Sequence, residues 1–114
     1  MARFHQGRYR EAARLLERIC KLEFSDEGRA LDYSYLGRCY LALGQHQDAL
    51  DRFSRAYEPM RIRSQTLEDE FARQEYVDFL HAFSNALRTS GQPDRAQQIS
   101  REAHEYIQAM KERK

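Results

Sequence analysis

The sequence predicts an all-α protein of five main helices laid down as antiparallel pairs. Apolar residues recur at helical spacing over most of the 114 residues. Only 2 Pro and 5 Gly interrupt them, and these fall mainly where helices should end. Three stretches are also alike: GRYREAARLLERI from Gly7, GQHQDALDRFSRA from Gly44 and GQPDRAQQISREA from Gly91. In each, an Ala follows the Gly by five residues (Ala12, Ala49, Ala96), and successive blocks lie 37 and 47 residues apart. Self-similarity at such a period marks a repeat array. The unequal spacings imply a short insertion around residues 24–29 and a longer one around residues 60–69.

The first block carries Tyr9, Ala12, Leu16, Ile19 and Cys20 at helical spacing, which predicts a helix over 8–22. Residues 1–6 supply little more than one turn, so this helix reads as the second member of a pair whose first member is missing. Ser25 or Asp26 offers a cap for the next helix. There Leu31, Tyr33, Leu36, Tyr40 and Leu43 line one face up to Gly44, a C-terminal glycine. Ala49, Leu50, Phe53, Ala56 and Tyr57 line its partner, which Pro59 should end or kink.

Thr66-x-x-Asp69 reads as the next helix start, and Leu67, Phe71, Tyr76, Phe79, Leu80, Phe83 and Leu87 then run unbroken to Gly91. Glu68, Asp69 and Glu70 sit at that N-terminus, where the helix dipole favours negative charge. Pro93 fits the first turn of the last helix, because its missing N–H is harmless there. Ala96, Ile99, Ala103, Tyr106, Ile107 and Met110 form the inward stripe of that helix. The units divide as a half unit over 1–24, a full unit over 25–59 and an extended unit over 60–114.

Tyr33-x2-Leu36-Gly37-x2-Tyr40, followed by Ala49-x3-Phe53-x2-Ala56 and Pro59, resembles one tetratricopeptide repeat, a helix–turn–helix unit of about 34 residues. Tyr33 stands where that family usually has Trp. The third unit follows the same register more loosely, with Ser84 for Gly, Leu80 and Leu87 for aromatics, and Ser100 for Phe. The resemblance implies a right-handed α-solenoid of about two and a half repeats, in which Gly37, Ala49 and Ala96 let neighbouring helices approach closely.

Composition narrows the function. The chain has 41% hydrophobic and 32% charged residues and a net charge of +1, which gives no general attraction to nucleic acid or to a membrane surface. No apolar run approaches the length of a membrane span. Cys20 and Cys39 form no CxxC and read as buried free thiols, which suits a reducing, cytoplasmic setting. His5, His46, His81 and His104 have no partner at metal-ligand spacing, and no phosphate loop or nucleophile elbow is present. The chain therefore reads as not an enzyme, with no cofactor and no metal.

In the family it resembles, the first helices of successive units line a concave groove that takes an extended peptide or a helix. Here that implies a groove of Ser34, Tyr35, Arg38, Asp78, His81, Asn85 and Arg88, and a role as a scaffold or adaptor for a protein or peptide partner. Asn85 and Arg88 supply part of the Lys/Asn/Arg set by which some family members hold a C-terminal carboxylate; Lys is absent from the face. Two other implied roles are a peptide-sensing regulatory domain of a bacterial regulator and a secretion-type chaperone. The unpaired first block, with Leu15, Leu16 and Ile19 left exposed, leaves two readings open: a piece of a longer array, or self-association through the N-terminal helix.

Overall fold

The computed structural model describes residues 2–22, 30–67 and 69–112. They form five helices and no strand: α1 (Ala2–Leu22), α2 (Ala30–Ala42), α3 (His46–Thr66), α4 (Glu70–Thr89) and α5 (Pro93–Glu112). Each helix packs on the next in the chain. The only other pairing among the described residues is α2 with α4, so α1 meets neither α4 nor α5.

The α2–α3 and α4–α5 hairpins are built by the same chemistry. Gly44 and Gly91 take φ of +78° and +79°, a conformation that costs glycine nothing. At the first turn, Gln45 N–H donates to the Tyr40 carbonyl (2.8 Å) and Gly44 N–H to that of Leu41 (3.0 Å). At the second, Gln92 N–H donates to Leu87 (2.9 Å) and Gly91 N–H to Arg88 (3.2 Å). Both are Schellman caps, which satisfy carbonyls that a helix end would otherwise leave open. Pro93 opens α5, as its sequence position predicts.

Small residues sit where the paired helices cross. Ala49, Ala56, Ala96 and Ala103 are completely buried. Between the hairpins, Phe53 from α3 meets Phe79 and Phe83 from α4, each pair with centroids 5.8 Å apart. Phe53, Phe79, Leu80, Phe83 and Leu87 are fully buried and form the centre of the core.

Four boundary expectations need correction. Gly7 does not precede α1 but lies inside it, since α1 starts at Ala2 and the backbone at Gly7 has no positive φ. A Cβ there would meet nothing within 4 Å, so the glycine marks no close approach. Pro59 does not end its helix: α3 continues to Thr66, carrying buried Met60 and Ser64 into the core. That burial outweighs one missing backbone bond. The expected insertion at 60–69 is therefore mostly the last two turns of α3. Thr66 is the final residue of α3, and Asp69 caps α4, its carboxylate accepting the Ala72 N–H at 2.7 Å. The proposed caps Ser25 and Asp26, and Glu68, lie outside the described residues.

Candidate functional site

α2 and α4 lie side by side and present the residues expected of a groove. Tyr35 and Arg38 stand one turn apart on α2, and Asp78, His81, Asn85 and Arg88 follow one another along a single face of α4. His81, Asn85 and Arg88 are exposed, while Tyr35, Arg38 and Asp78 are half-buried. Ser34 is a correction. It is completely buried, its hydroxyl has no hydrogen-bond partner, and it cannot reach a ligand. It lies beside Tyr33 and Leu36 on the face of α2 that enters the core.

A residue the sequence reading missed ties the two helices together. The Tyr35 hydroxyl donates to Glu75 Oε2 at 2.7 Å, and Glu75 is buried at 8% exposure. Burial, then the bond to this carboxylate, holds the Tyr35 phenol above its ordinary pKa. Glu75 lies one turn before Asp78, so extending the α4 stripe backwards by one turn finds it. The Arg38 guanidinium lies over the Tyr35 ring at 5.5 Å, and its Nη2 is buried without a hydrogen-bond partner. Asp78 accepts from Gln74 one turn away.

Two further polar knots lie outside this face. Glu17 on α1 accepts from Tyr40 on α2 (3.0 Å) and pairs with Arg52 on α3 (2.7 Å). Burial and the bond to Glu17 push the Tyr40 phenol up to about 12. Glu102 on α5 accepts from Tyr57 on α3 (2.6 Å) and from Tyr76 on α4 (2.9 Å). Both phenols are raised chiefly by burial, Tyr57 to about 12 and Tyr76 further. Each knot joins three helices, and no sequence period announces it.

Cys20 and Cys39 are free and buried, and burial pushes the Cys39 thiol up, away from a reactive thiolate. Among the described residues no group of three or more His, Cys, Asp or Glu is placed to hold a metal ion. No described helix is long and apolar enough to cross a membrane. Comparison with protein-family models, curated proteins and solved structures gave no match for this chain.

Proposed function

We propose that the chain is a tetratricopeptide-like solenoid acting as a protein-interaction module, which takes a peptide or a partner helix along the face shared by α2 and α4. The pairing of these two helices carries the reading. They touch although α3 separates them in sequence, and the face they share is polar and open along α4. Each helix lying on its neighbour, with the first helices of the two hairpins also in contact, is the arrangement that stacked hairpins produce. It leaves the first helix of each pair on one side.

The chemistry of the face suits a ligand bearing carboxylates. Arg88 is exposed near the end of α4, and Asn85 offers both a donor and an acceptor one turn before it. Arginine presents a planar fork of donors that matches a carboxylate. Tyr35 and Arg38 stand at the α2 border of the same surface.

A pull-down from host extract with wild type and with His81→Glu/Arg88→Glu tests the proposal. Both positions are exposed, so the fold tolerates the change. Partners that bind wild type and are lost from the variant support the α2–α4 face. Retention of every partner by the variant overturns it.

A further inference from the structure

Basic charge is not spread evenly over the molecule. The whole chain has a net charge of +1, yet residues 7–22 of α1 hold Arg8, Arg10, Arg14, Arg18 and Lys21 against Glu11 and Glu17. Glu17 is already engaged by Tyr40 and Arg52. Arg10, Arg14, Arg18 and Lys21 follow at i, i+4, i+8 and i+11, so they share one face of the helix over about 16 Å. All four are exposed, and none joins an ion pair among the described residues.

An apolar row runs beside the basic one. Leu15, Ile19 and Leu22 follow at i, i+4 and i+7, and they remain 53%, 41% and 77% exposed. Ala13 and Cys20, on the opposite side of α1, enter the core. Among the described helices α1 packs on α2 alone, which leaves its outer side open. Glu11, one turn before Leu15, is the one acidic residue of α1 exposed on that side.

The two rows together select the occupant. A nucleic acid would neutralise the cations but leave the apolar row in water. A second copy laid α1 against α1 would bring two basic rows together, which like-charge repulsion disfavours. An anionic lipid surface takes both rows at once. Its phosphates meet the cations at the headgroup level, and the apolar side chains enter the boundary beneath. The long stems of Arg and Lys lie along apolar surface while their charged ends reach outward. The helix would lie on such a surface and not cross it, since no described helix is long and apolar enough to span a membrane.

We infer that the outer face of α1 is a peripheral docking site for an anionic lipid surface. Leu15, Ile19 and Leu22 enter the headgroup–acyl boundary, and Arg10, Arg14, Arg18 and Lys21 hold lipid phosphates.

Co-sedimentation of the full chain with vesicles tests this. Phosphatidylcholine vesicles with about one-third phosphatidylserine should bind the chain, and vesicles of phosphatidylcholine alone should bind it at least about ten-fold more weakly. Arg14→Gln/Arg18→Gln and Leu22→Glu should each weaken binding to the anionic vesicles about ten-fold. All three positions are exposed, so the fold tolerates the changes. Glu11→Gln should strengthen binding, an outcome that a damaged fold cannot imitate. His81→Glu/Arg88→Glu should leave it unchanged, which separates this surface from the α2–α4 face. Equal affinity for the two kinds of vesicle, or binding to neither, overturns the inference. Weakening by Arg14→Gln/Arg18→Gln with no effect of Leu22→Glu also overturns it, because a surface of charge alone would serve a nucleic acid or an acidic protein as well. So does a dimer in analytical ultracentrifugation that Leu22→Glu abolishes, because a second copy is then the occupant.

Discussion

Gly37 decides how closely α2 and α3 approach. A Cβ built there would lie 2.6 Å from Cε1 and 2.7 Å from Cδ1 of the Phe53 ring. The ring cannot withdraw, since it is fully buried between Phe79 and Phe83. Gly37→Ala should therefore cost about 1–3 kcal/mol, the usual range for overpacking a filled core. The expected result is a lower urea midpoint with an unchanged slope, and adding Phe53→Leu should recover part of the loss, because residues in contact do not act additively. A midpoint equal to that of wild type would contradict the close approach. The second hairpin supports the same account. Where α2 has Gly37 against Phe53, the equivalent positions hold Ser84 and a half-buried Ser100. Without a large ring to accommodate, the small residue gains a side chain, and the Ser84 hydroxyl donates to the Ala96 carbonyl at 2.8 Å.

Helix ends follow local chemistry in some places and tertiary burial in others. Asp69 is extended (φ −109°, ψ 155°) and accepts from Ala72 N–H, so it occupies the N-cap of α4. Asp69→Ala should lose about 0.5–2 kcal/mol in thermal or urea unfolding, and Asp69→Asn should keep most of it. Equal losses for Ala and Asn would show that charge at the helix end, rather than the cap bond, carries the effect. These ends also show what was legible in the sequence. Gly44 and Gly91 could be read because a left-handed turn needs a residue without Cβ, a requirement that no distant contact alters. The small crossing residues Ala49, Ala56, Ala96 and Ala103 could be read for a similar reason. Pro59 misled because the rule against proline in helices is local, and the buried Met60 beyond it wins. Gly7 misled because an exposed helical glycine costs little. Of the candidate site, the α4 stripe was legible as a helical face. Ser34 was misplaced because a small polar side chain does not reveal which side of α2 it takes. Glu17 and Glu102 were invisible, since their partners Arg52 and Tyr57 stand 35 and 45 residues away.

At the scale of the whole molecule, stability should spread unevenly along the chain. Helices that touch only their neighbours behave as a one-dimensional array, in which an end can open while the rest stays folded. α1 is one of the two end helices among the described residues. It packs on α2 alone, and its tie to α3 runs through Glu17 and Arg52, whose side chains are 29% and 21% exposed. Arg52 also sits over the Tyr40 ring at 5.7 Å and pairs with Asp51, so it stays in place when Glu17 is removed. A partly shielded, charge-assisted pair of this kind contributes more than a surface pair, about 1–2 kcal/mol. Glu17→Ala should therefore raise the open population of α1 by about five-fold or more. Amide exchange across residues 8–22 should accelerate by that factor, while exchange in α4 and α5 stays as in wild type. α5 is the control, because its own knot, Glu102 with Tyr57 and Tyr76, is untouched by the substitution. Uniform acceleration in all five helices would mean that the molecule opens as one cooperative unit. That outcome would remove the basis for reading it as stacked hairpins, and with it the expectation that α1 offers a surface of its own.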